Sequence, residues 1–93
     1  MSNELRLYKL LMGEENDYVI EMGWVNDEEF CVWINYWDLE DFINGLSKIY
    51  GNGIFDDGGF DVNIQEKYVC IDLCKIIDCV DLKDIFPKEE YEH

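Results

Sequence analysis

Residues 30–51 read FCVWINYWDLEDFINGLSKIYG, and the spacing of their apolar positions changes midway. Up to Trp37 it alternates: Phe30, Val32, Ile34 and Tyr36 fall on one side, Cys31, Trp33, Asn35 and Trp37 on the other. A period of two predicts a strand over 30–37. Large apolar groups on both sides predict that it is central and covered on both faces. From Leu39 onward, Leu39, Phe42, Ile43, Leu46, Ile49 and Tyr50 recur at helical spacing, which predicts one amphipathic helix over 39–50. Asp38 stands where a residue can cap that helix, and Asp41 lies in an acidic first turn. Lys48 falls in the last turn, and Gly51 is placed to end the helix as its C′ residue.

Outward from this stretch, ELRLYKLLM (4–12) reads as a first strand, with Leu5, Leu7 and Leu11 on one face and Lys9 breaking the pattern. DYVIEMGWV (17–25) reads as a second strand. The polar turns GEEN and NDEE separate these runs. Beyond the helix, FDVNIQ (60–65) and KYVCIDLCKII (67–77) alternate again, and Glu66-Lys67 between them predicts an antiparallel hairpin. DLKDIF (81–86) fits a helical turn before Pro87, and the tail KEEYEH (88–93) is expected to fray. The expected order is βββαββ. Strands in adjacent runs favour α+β: one antiparallel sheet of about five strands with the 39–50 helix on one face. Ninety-three residues, with 48% hydrophobic and 15% aromatic content, make one small domain spanning 1–93.

Lys and Arg number 7 and Asp and Glu 22, so the net charge is −15. Repulsion at that density opposes compaction and turns away bare nucleic acid and anionic membrane surfaces. No run reaches the ~20 apolar residues of a membrane-spanning helix, and no secretory core is visible near the start. A cytoplasmic location is the default expectation. The partner suited to such a surface is a basic protein, one that itself handles nucleic acid.

Catalytic chemistry finds little support. The single histidine, His93, is the last residue, and the serines are Ser2 and Ser47, so no anchored nucleophile–base pair emerges. No phosphate-binding glycine loop is present. Cys31, Cys70, Cys74 and Cys79 lack the paired short spacing of a zinc site and read as packing thiols. IFDDGGFD (54–61) is not an EF-hand loop. Taking Gly58 or Gly59 as the loop glycine puts Gly53 or Ile54 at the first ligand position, where neither supplies a side-chain oxygen. The stretch reads as a glycine-enabled turn and as an acidic contact surface. No enzyme, cofactor or metal is expected.

What remains is recognition. The candidate partner contacts are Glu28, Glu29, Asp38, Glu40, Asp41, Asp56, Asp57 and Asp61, with carboxylates standing where a basic channel would hold phosphates. Trp24, Trp33 and Trp37 are expected in the core. Small size, acidity, aromatic content and the stretches NDEE, DLED and IFDDGGFD together resemble phage-encoded anti-CRISPR and other DNA-mimic inhibitors. The resemblance implies a protein that inhibits a nuclease or CRISPR effector by covering its basic surface. Immunity proteins against basic nuclease toxins look similar for the same physical reason. A structural or regulatory interaction module, acidic only for solubility, is the competing class.

Overall fold

The computed structural model describes residues 2–13, 19–51, 53 and 65–91 with their side chains, and the backbone of 60–63. The chain begins with a helix, α1 (Asn3–Met12), not the expected strand over 4–12. Leu, Arg, Lys and Met are strong helix formers, and the segment has no β-branched residue. Ser2 caps it, its Oγ accepting from the Leu5 N–H at 3.2 Å, with Glu4 in the first turn and Lys9 in the last. Leu7 and Leu11, four apart, are its buried residues; Lys9 interrupts the alternation because it lies on the exposed side.

β1 (Val19–Asn26) and β2 (Glu29–Asn35) form a hairpin. Its turn is built by Asn26, whose Oδ1 accepts from the Glu28 N–H and whose Nδ2 donates to Glu29 Oε1, both at 2.8 Å. β2 stops at Asn35, short of 37, and Tyr36–Asp38 form a 3₁₀ turn leading into α2 (Leu39–Tyr50). The helix has the expected bounds. Asp38 precedes it but makes no side-chain cap, because the 3₁₀ turn runs directly into the helix. Gly51 closes it at φ 103°, ψ 166°, a conformation reserved essentially for glycine. Arg6 in α1 donates from Nη2 to the Lys48 carbonyl at 3.0 Å, tying α1 to the last turn of α2.

β3 (Phe60–Asn63) and β4 (Tyr68–Asp72) pair antiparallel, as the hairpin reading expected. The run to 77 is not one strand: after Asp72 come a 3₁₀ turn at Leu73–Lys75 and α3 (Cys79–Ile85), capped by Asp78, whose Oδ1 accepts from Val80 at 2.8 Å. The tail, expected to fray, is helical over its described part, α4 (Lys88–Tyr91), where Tyr91 packs edge-on against Phe86 and Lys88 pairs with Asp27; 92–93 lie outside the described residues.

Among the described residues the architecture is α+β, with a four-stranded antiparallel sheet in the order β1-β2-β4-β3 rather than the expected five strands, because the segment expected as the first strand is α1. One face meets the helices. Trp24, Phe30, Val32, Ile34, Val69 and Ile71 from the sheet join Leu7, Leu11, Phe42, Leu46 and Leu82 from the helices in one core. Each such side chain contributes about 1.5–3 kcal/mol by leaving water. β2 is central, as expected, but its second face is shallower. There Cys31 is buried, Trp33 and Asn35 are half-buried, and the neighbouring Ile20 and Glu21 are exposed.

Candidate functional site

The sheet register decides which side chains share the shallow face. Glu21 lies opposite Trp33, Trp33 opposite Cys70, Cys31 opposite Asp72, and Asn35 opposite Tyr68. Alternation therefore puts Glu29, Cys31, Trp33 and Asn35 on one side of β2, beside Tyr68, Cys70 and Asp72 of β4. A bulge between Val19 and Glu21 frees Ile20 from pairing and leaves it 55% exposed at the edge of this face. Ile20, Glu21, Trp33 and Tyr68 surround a shallow cavity of about 240 Å³.

The candidate acids do not form one cluster. Glu28 and Glu29 sit at the β1–β2 turn, exposed, and share an open notch of about 410 Å³ with Asp72, Cys74 and Lys75. Asp38, Glu40 and Asp41 stand at the other end of β2, around the start of α2. Asp61 is on β3, in register with Cys70. Asp56 and Asp57, with most of IFDDGGFD, lie outside the described residues.

Two members of this surface were not legible as contacts. Asp72 reaches the Glu28–Glu29 end only through β2–β4 pairing. Its carboxyl is held above the usual range, chiefly by burial and then by Glu29, although the Cys74 N–H donates to it at 3.0 Å. Trp37 was expected in the core; it is 66% exposed because it lies in the 3₁₀ turn, beyond the ladder whose alternation would have buried it. Tyr36 is exposed beside it. Of the other tryptophans, Trp24 is fully buried and Trp33 lies on the shallow face.

The raised Asp72 sets a sign. A carboxyl whose folded pKa exceeds its unfolded one binds its proton more tightly when folded, so its ionisation costs stability. That cost is fully present above the folded pKa and fades as pH falls toward the ordinary carboxylate range. Asp72→Asn keeps an oxygen for the Cys74 N–H and removes the ionisation. The variant is expected to match or exceed the parent at pH 7 in urea melts, with the difference shrinking as pH falls toward 4.

Cationic residues are segregated. Arg6, Lys9, Lys48, Lys83 and Lys88 belong to helices, and none lies in β1, β2 or the turn to α2, since no Lys or Arg occurs between Lys9 and Lys48. Lys83 lies over the Trp24 ring at 5.6 Å from its centroid. On the sheet side, Lys67 precedes β4 and Lys75 follows it.

Two of the thiols, Cys31 and Cys74, are poor nucleophiles. Burial, with Cys70 alongside, pushes Cys31 up to about 12. Burial and a hydrogen bond with Cys79 push Cys74 up to about 12. Both therefore remain protonated at neutral pH, in keeping with packing. Among the described residues no charged or polar side chain is buried and no three metal-ligating side chains gather. No helix there is long and apolar enough to cross a membrane.

Compared with known protein families, characterised proteins and solved structures, the chain matches none.

Proposed function

We propose that this protein is a non-enzymatic acidic binding protein that inhibits a nucleic-acid-handling enzyme, a CRISPR effector or other nuclease, by occupying its basic surface. It is an anti-CRISPR-type inhibitor in this reading. The observation that carries it is the pairing of a cation-poor sheet face with accessible aromatics, the half-buried Trp33 and Tyr68 and the exposed Trp37. Glu28, Glu29 and Asp72 mark one end of that face, Trp33 its middle and Tyr68, opposite Asn35, its other end; Trp37, Asp38, Glu40 and Asp41 follow beyond the end of β2, around the start of α2. Carboxylates at both ends speed encounter with a positive groove, and aromatics between them supply contacts that persist once charges are screened. Acidity serving solubility alone would not require β1, β2 and the turn to α2 to be without a cation.

A displacement assay tests this. Purified effector–guide complexes and basic nucleases are loaded with labelled DNA, and the protein is titrated in at about 0.1 M and about 0.5 M salt, spanning the range over which exposed charges become screened. Release of DNA from at least one enzyme at low salt, weakened at high salt, is the expected result. If no enzyme in the panel releases DNA, and proteins captured from a lysate stay bound regardless of salt, the inhibitor reading is wrong.

A further inference from the structure

We infer that the cavity formed by Ile20, Glu21, Trp33 and Tyr68 receives an arginine side chain of the basic partner. The inference rests on the reading of this protein as a binder of basic surfaces, and it names the contact at the centre of that interface.

The register builds the pocket. Glu21 faces Trp33 across the β1–β2 ladder, and Tyr68 lies two positions along β4 from Cys70, the residue opposite Trp33. One carboxylate thus stands beside two aromatic rings, with Ile20 closing the rim. The cavity, about 240 Å³, admits one long side chain and is too small for a helix or a strand. The ring faces attract a cation, and the carboxylate fixes where its charge sits. Between the two natural cations, the planar guanidinium fits better. It stacks on an aromatic face while its edge donates paired hydrogen bonds to a carboxylate, and it sheds water more readily than an ammonium. A second copy of this chain is a poor occupant, because each copy carries −15.

The test uses two capped tripeptides, Gly-Arg-Gly and Gly-Lys-Gly, each carrying one positive charge, so that general attraction to an acidic protein is the same for both. The full chain, ¹⁵N-labelled, is titrated with each while the Trp33 indole N–H and the Glu21 and Tyr68 amides are followed by NMR. The expected result is saturable shifts centred on Trp33, with the arginine peptide binding at least about threefold more tightly than the lysine peptide. Glu21→Gln, at an exposed position, should weaken the arginine peptide by about threefold or more, whereas Glu89→Gln, exposed on α4, should not. Trp33→Leu should abolish the preference. Should that variant unfold, the Glu21→Gln comparison decides alone. Equal shifts for both peptides spread over the acidic surface, or no change in Glu21→Gln, overturn the assignment. Captured basic partners that release Glu21→Gln no faster than the parent also overturn the pocket but leave the inhibitor reading standing. Arginine-selective binding with no basic partner in any assay supports the pocket and removes the inhibitor reading.

Discussion

Phe86→Ala should destabilise the protein by about 3–5 kcal/mol, the usual cost of emptying a buried phenylalanine site. Phe86 is fully buried and its ring meets three others across the fold. It stacks on Tyr8 of α1 at 5.9 Å and on Phe30 of β2 at 5.1 Å, and meets Tyr91 of α4 edge-on at 5.2 Å. Its own carbonyl accepts the buried Trp24 indole N–H at 2.8 Å, and Trp24 in turn packs edge-on to Phe30 at 5.1 Å. The residue therefore joins the first helix, the hairpin and the last helices. Proteins of this size have a total stability of about 5–15 kcal/mol, so the variant should lose a large share of it. Urea melts should show a lower midpoint with an unchanged slope. Trp37→Ala, at an exposed site, should fall within about 0.5 kcal/mol of the parent. A loss below about 1 kcal/mol for Phe86→Ala would mean that the C-terminal helices do not pack as a unit with the sheet.

Much of this core was legible. The switch of period at Asp38 marked both the central strand and α2, because an amphipathic helix repeats its signal over three turns. Asp38 and Gly51 framed it from either end. α1 was missed for a definable reason. Leu5, Leu7 and Leu11 satisfy a period of two, but Leu7 and Leu11 also satisfy a spacing of four, so the apolar positions alone do not separate strand from helix. The deciding signs were Lys9, out of phase with the strand, and the lack of any β-branched residue between Glu4 and Met12. The run 67–77 hid the end of β4, because the 3₁₀ turn at Leu73–Lys75 leaves no periodic trace. The apolar Ile76 and Ile77 extended the strand pattern past its true end at Asp72.

The candidate site was less legible, since alternation tells which residues share a face of one strand but not which strand lies beside it. Glu29 and Asp72 are brought together only because β2 pairs with β4, which the order of elements along the chain does not dictate. Glu28, Glu29, Asp38, Glu40 and Asp41 were recognised individually. That they flank one strand at opposite ends follows from the strand expected over 30–37; that Asp72 joins the Glu28–Glu29 end is what the sheet pairing adds. Trp37 was assigned to the core because a tryptophan is usually buried; the end of the ladder at Asn35 exposed it.

That separation yields the second large effect. Glu29 and Asn35 bound β2, so the two ends of the strand are about 20 Å apart at ~3.3 Å per residue, with one acidic group at each end. This exceeds the screening length of about 8–10 Å at ordinary salt, so the two groups act on a partner almost independently. Reversing one end, Glu28→Lys with Glu29→Lys, should weaken capture of a basic partner by tenfold or more at low salt, on the order of the cost of placing like charges together. Reversing the other, Glu40→Lys with Asp41→Lys, should do the same. All four residues are exposed, so neither change should disturb the core. If the partner spans the whole face, the two effects should multiply in the fourfold variant, because sites this far apart add in free energy. If only one pair matters, the partner covers one end, and the aromatic middle is a margin of the interface rather than its centre. Binding measured by biolayer interferometry across a salt series separates these cases, since each group that contacts the partner should flatten the salt dependence when it is reversed. Unchanged affinity and slope in both variants would place the partner elsewhere on the molecule and remove the sheet face from the function.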